Sequence, residues 1–186
     1  VDRLLAELAE RQYGVVGRWQ LLSRGVGRRA LDERLRTGHL HLIHHGVYAV
    51  GHRLLPKEGR WMAATLAGGP GTVLSHRSAG QALGIFPHYG IEIEVTRPRK
   101  FRHRDGIRAH QSVLPPDEIR VVDGIPVTSP PRTIFDLAAL VKPRQLERAF
   151  NELEVRGLTD ALSAPDLLER YPGRRGAAAL RALLAS

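Results

Sequence analysis

Apolar positions in the first fifty residues recur at helical spacing three times and then switch to strand alternation. Leu4, Leu5, Leu8 and Ala9 share one face of a helix predicted over residues 2–11. Gly14 breaks that pattern, and Val15 and Val16 read as a short extended link. A second helix, Arg18 to Arg24, is expected to turn Trp19, Leu21 and Leu22 inward. The run Gly25-Val26-Gly27 permits a tight turn, because glycine takes positive φ without a steric penalty. A third helix, Arg28 to Arg36, has Ala30, Leu31 and Leu35 as its buried stripe and stops at Gly38. Alternation then marks two strands, His39 to Ile43 and Gly46 to Val50, joined through His44-His45-Gly46. Helix, helix, tight turn, helix, hairpin is the element order of a winged helix-turn-helix.

The pattern after residue 51 is less regular. Residues 52–57, with Pro56, read as a linker. A helix follows from Glu58 to Ala67, with Trp61, Met62, Thr65 and Leu66 as core candidates, and Gly68-Gly69-Pro70-Gly71 ends it. Those glycines lack the Lys and Ser or Thr of a nucleotide-binding loop and read as punctuation. Ser75 is placed to cap a helix running from His76 to Leu83. The phrase IEIEVT, residues 91–96, alternates as a half-buried strand with Ile91, Ile93 and Val95 inward and Glu92 and Glu94 outward. Residues 107–111 are its expected partner, and strands over 118–122 and 125–127 flank an Asp123-Gly124 turn. Ser129 before Pro130-Pro131 marks a helix start. Three more helices end near Arg156, Tyr171 and Leu184. The fold class predicted is α+β: a winged helix-turn-helix over residues 1–51, then a second α+β domain over 58–186 with a short, mostly antiparallel sheet and several helices.

The chain has 186 residues, with 28 Lys and Arg against 19 Asp and Glu, for a net charge of +9. Only Lys57, Lys100 and Lys142 are lysines. Arginine forks suit phosphate and guanine edges, although an arginine bias also follows from a GC-rich genome. The absence of cysteine excludes disulfides, thiolate catalysis and Cys-based zinc fingers. No apolar window is long enough for a membrane span, and the N-terminal helix is too interrupted by charge for a signal peptide. A cytoplasmic location is expected.

No reaction is expected. Ser75 and His76 are adjacent in a helix, do not face each other and have no evident acid partner. The IEIEVT strand lacks the further acid that a restriction-type nuclease core needs. His39, His41, His44 and His45 are the only histidine group, without nearby acid or cysteine, so neither a metal nor another cofactor is expected.

The expected base readers on the third helix are Arg28, Arg29 and Arg34. The expected backbone contacts are Arg18, Arg24, Arg36, His44 and His45, with the histidines at the wing tip. Helix phase leaves exchange between the two sets open. Arg97, Arg99, Lys100, Arg102, Arg104 and Arg108 form the densest basic run, which reads either as a second phosphate-contact surface or as a solvated hairpin loop.

Three phrases together resemble a known family: residues 11–51, RQYGVVGRWQLLSRGVGRRALDERLRTGHLHLIHHGVYAVG; residues 72–85, TVLSHRSAGQALGI; and residues 125–140, IPVTSPPRTIFDLAAL. The chain resembles the bacterial AbiEi-type antitoxin and transcriptional-regulator proteins, in the variety common among actinobacteria. The resemblance implies a repressor that binds inverted repeats in its own promoter. It places Arg28, Arg29, Asp32 and Arg34 on the recognition helix, and His44 and His45 on the wing. It implies that the second domain neutralises a cognate nucleotidyltransferase-type toxin, and it leaves a homodimer on DNA open. Many relatives continue into a domain resembling repair and restriction endonucleases, whereas this sequence stops at Ser186. Two alternatives therefore stand beside the repressor: a toxin-neutralising interaction module with little DNA binding, and the DNA-targeting portion of a longer endonuclease.

Overall fold

The computed structural model describes residues 1–87, 90, 92–101 and 105–185. The N-terminal unit runs α1 (Asp2–Arg11), β1 (Val15–Gly17), α2 (Arg18–Ser23), α3 (Arg28–Arg36), β2 (Leu40–His44) and β3 (Val47–Val50). The extended link at Val15 is a strand: β1 pairs antiparallel with β3, giving the order β1-β3-β2. This is a winged helix-turn-helix. Leu5, Leu8, Val16, Leu21, Val26, Leu31, Leu40 and Tyr48 form its core. Trp19 and Leu22 depart from expectation and are each 39% exposed. Gln20 takes the inward position instead, its Oε1 accepting from the Gly17 amide at 2.9 Å. The six-residue helix offers one inward face, and Leu21 with Gln20 fills it.

Strand alternation gives the small sheet two buried faces. Val16 and Tyr48 face the winged core, while Val15 and Val47 join a second apolar cluster with Trp61, Met62 and Ala63. Those residues belong to α4 (Lys57–Gly68), which is buried continuously from Trp61 to Gly68. A helix apolar on all sides has no solvent face to keep. Accordingly α4 packs on β1, β2 and β3 and also on β4 (Val73–Leu74), β5 (Ile93–Arg97) and β8 (Ile125–Thr128). At Gly59 a side chain would meet the Tyr13 carbonyl at 2.8 Å, so only glycine allows this approach.

With β6 (Ile107–Gln111) and β7 (Ile119–Val122), the larger sheet has the order β6-β5-β4-β8-β7. It is mixed rather than mostly antiparallel. The β5–β6 and β4–β8 pairs are parallel, and the β4–β5 and β7–β8 pairs are antiparallel. Helices α5 (His76–Ala82) and α6 (Pro130–Ala138) pack together, and α7 (Pro143–Val155), α8 (Ala164–Arg170) and α9 (Ala177–Leu184) surround α6. Ser129 caps α6, accepting from the Arg132 amide. Ser75 does not cap α5; its hydroxyl lies 2.8 Å from Nδ1 of His76.

Candidate nucleic-acid interface

The turn between α2 and α3 is closed by Val26, whose buried side chain anchors it and whose amide donates to the Leu21 carbonyl. Leu31 then fixes the phase of α3 by burying its side chain, which leaves Arg28, Arg29, Asp32, Glu33 and Arg36 exposed. Arg28 and Arg29 stand in the first helical turn with no hydrogen-bond or ion-pair partner among the described residues. The first turn of a recognition helix is where base edges are reached.

Arg34 does not join them. Its side chain is only 19% exposed, and its Nε and Nη2 each lie 2.9 Å from Asp2 Oδ1. Its Nη1 donates to the Ala30 carbonyl at 2.9 Å. The predicted base reader is therefore turned back toward α1, because position 34 falls on the flank of α3 that meets that helix. Hydrogen bonding from Arg34, then its charge, holds the Asp2 carboxyl below the usual range and keeps the pair ionic. Arg36 is exposed, but Glu33 grips it through two contacts of 2.7 and 3.1 Å.

The remaining backbone candidates lie on α2 and at the wing. The Arg18 amide, opening α2, donates to the Gly46 carbonyl at the wing tip at 2.8 Å. Arg24 is exposed at the end of α2, with one long contact to the Gln20 carbonyl at 3.4 Å. His45 is exposed and His44 half-buried, where the β2–β3 register shifts between Leu42 and His44.

The second basic run is less coherent. Arg97 lies over the Phe101 ring at 5.4 Å, while Arg99 and Lys100 are exposed. Arg108 is paired with Glu92 at 3.0 Å. Arg102 and Arg104 lie outside the described residues. The run does not join a hairpin: β5 and β6 pair in parallel, with Ile93 beside Ile107 and Arg97 beside Gln111.

Glu94 overturns the outward assignment. It is 3% exposed, accepts from the Arg77 amide at 2.9 Å and meets His110 at 3.3 Å. His110 in turn stacks on His76 at 3.6 Å. Burial pushes the Glu94 carboxyl up, but hydrogen bonds from His110 and the Arg77 amide outweigh it and leave it low. Beside this group, fully buried Arg132 pairs with Glu118 and with Asp136 at 3.0 Å. Arg170 and Tyr171 complete Glu118, each at 2.7 Å. The Pro-Pro-Arg-Thr phrase thus places an internal ion cluster, a role its sequence does not disclose. Among the described residues no group of His, Asp and Glu side chains is arranged to hold a metal.

A family described as transcriptional regulator, AbiEi antitoxin, matches residues 3–51, and one described as AbiEi antitoxin C-terminal domain matches residues 72–186. The chain belongs to the AbiEi antitoxin family. AbiEi proteins are DNA-binding transcriptional regulators and antitoxins. The RV2827C protein from Mycobacterium tuberculosis, solved by crystallography, shares the fold at 20% identity and a TM-score of 0.53, covering 99% of this chain and 80% of that one. Comparison with curated proteins found no match. No helix among the described residues is long and apolar enough to cross a membrane.

Proposed function

We propose that this AbiEi-family chain is a cytoplasmic, sequence-specific repressor that binds inverted repeats in its own promoter as a homodimer. Residues 1–51 hold the DNA, and the rest of the chain, beyond the 52–57 connection, neutralises a nucleotidyltransferase-type toxin. The observation that carries the reading is the pair Arg28 and Arg29, unpaired and exposed at the start of α3. Arginine forks there match guanine O6 and N7 across a groove about 12 Å wide. Arg18, Arg24, Arg36, His44 and His45 supply backbone contacts around them. Arg97, Arg99 and Lys100 offer a second, weaker phosphate surface. Repression follows from occupancy of the promoter. Footprinting of the full chain on its own upstream DNA tests this reading. A protected inverted repeat is expected, and uniform weak binding to all DNA overturns it.

Toxin contact has its own support. An apolar groove of about 260 Å³ opens among α6, α7 and α8, lined by Pro131, Ile134, Phe150, Leu153, Leu158 and Leu162. Co-expression with the product of the adjacent gene tests that half. A stable complex and relief of toxicity are expected, and the absence of both rejects it.

A further inference from the structure

A cleft of about 390 Å³ opens beside the junction of the winged unit and the rest of the molecule. Small-ligand sites occupy roughly 300–1,000 Å³ and favour junctions of this kind. One wall is the end of α1 with α2; the other is the end of α4 with the β7–β8 turn. Arg11 is the only charged side chain lining it among the described residues. The Arg11 guanidinium has no hydrogen-bond or ion-pair partner there. Thr72, also in the lining, is 4% exposed, yet its Oγ1 has no partner. That hydroxyl lies against Gly68, where an added Cβ would collide with it, so it is packed inside the wall rather than presented to the cleft.

The apolar side is equally specific. Trp19 is 39% exposed, its indole Nε1 reaching the Leu66 carbonyl only at 3.4 Å. Met62, Leu66 and Pro126 line the space with it. The two amides nearby, Gln12 and Gln20, are taken up with each other through contacts of 2.6 and 3.1 Å. What remains open is a flat ring face, an apolar floor and one cation.

We propose that this cleft binds a planar aromatic carboxylate. The ring lies on Trp19 above Met62, Leu66 and Pro126. The carboxylate meets the Arg11 guanidinium. Because α2 leads directly into α3, a ligand seated on α2 and α4 lies one helix away from the DNA-reading surface. DNA and ligand then alter each other's affinity by the same factor. The binding site itself does not depend on the DNA reading.

Isothermal titration of the full chain with 1-naphthoate, and with 1-naphthalenemethanol as its uncharged counterpart, tests the proposal. Saturable binding of the acid is expected, with the alcohol weaker by about tenfold or more. Arg11→Gln should bring the acid down to the alcohol's level, Trp19→Ala should abolish binding, and Arg148→Gln on exposed α7 should change nothing. Thermal melts of each variant separate lost binding from lost folding. Absence of saturable heat at millimolar 1-naphthoate with the natural sequence folded overturns the site. So does equal affinity for acid and alcohol, or for the natural sequence and Arg11→Gln. A promoter-binding titration with and without 1-naphthoate then reads the coupling, and unchanged DNA affinity refutes that part alone.

Discussion

His76 sits in the left-handed region at φ 54, buried, with its ring on His110 and its Nδ1 against Ser75. Burial, and secondarily the charge of His110, pulls its pKa down to about 3. Arg132 and Arg174 act in the same direction, and Glu94 opposes them. The folded state therefore keeps His76 neutral, while the unfolded chain protonates it below the ordinary value of 6.5. Stability is lost as pH falls through that window, by up to about 1.4 kcal/mol per pH unit. Asp136 is raised by burial and works with the opposite sign, in a window that opens upward from the ordinary value of 3.8. Urea unfolding at pH 7 and pH 5 should show the slope, and His76→Asn should flatten it, since Asn tolerates positive φ. An equal slope in that variant would assign the pH dependence elsewhere. On α3 the prediction separates neighbours: Arg28→Ala and Arg29→Ala should each cost about 1–3 kcal/mol of specific DNA affinity. Arg34→Ala should leave affinity nearly unchanged in the same mobility-shift titration, because its guanidinium is held by Asp2. The sequence shows all three arginines alike. Asp2, thirty-two positions away, makes the difference, and no local pattern announces such a partner.

Helix α6 is the element on which the second unit is organised. Arg132, at its N-terminus and with no exposed surface, lies between two buried carboxylates, Glu118 ahead of it and Asp136 one turn on. Removing one member of such a group leaves uncompensated buried charge, so Arg132→Ala should destabilise the fold by about 3–5 kcal/mol. Chemical denaturation reads this directly, and a loss below about 1 kcal/mol would mean that water fills the gap. The start of α6 was legible in the order Ser129-Pro130-Pro131, as was the apolar face of α1. The parallel β5–β6 pair was not. Asp105-Gly106 before a strand imitates a hairpin turn, and a connection as short as residues 98–106 is unusual for parallel neighbours. Strand β4 was missed because Val73-Leu74 is too short to show alternation. For α4 the signal was present: from Trp61 to Gly68 only Thr65 is polar, and a helix without a polar face has protein on every side.

At the scale of the molecule, α4 makes the winged unit part of one core rather than a domain on a tether. The Tyr13 hydroxyl adds a second tie, donating to the Asp123 carbonyl in the β7–β8 turn at 2.6 Å. A single recognition helix held this firmly can sample only one face of the duplex. High affinity for an inverted repeat then requires two chains whose α3 helices reach the same side of DNA, about 34–36 Å apart. Inserting about five base pairs between the half-sites turns one of them to the opposite side. The natural spacing should bind two chains cooperatively, and the altered spacing should bind each at single-site affinity, as read by mobility shift with mass determination. Salt separates the contributions further. With a net charge of +9, both sites should weaken as salt rises, each phosphate contact adding a slope of about −0.9 in log K against log salt. Arg24→Gln should shorten that slope by about one phosphate contact per chain without changing which sequence is preferred. If spacing has no effect while the salt slope remains, the chains bind DNA as independent monomers, and the repeat is read one half at a time.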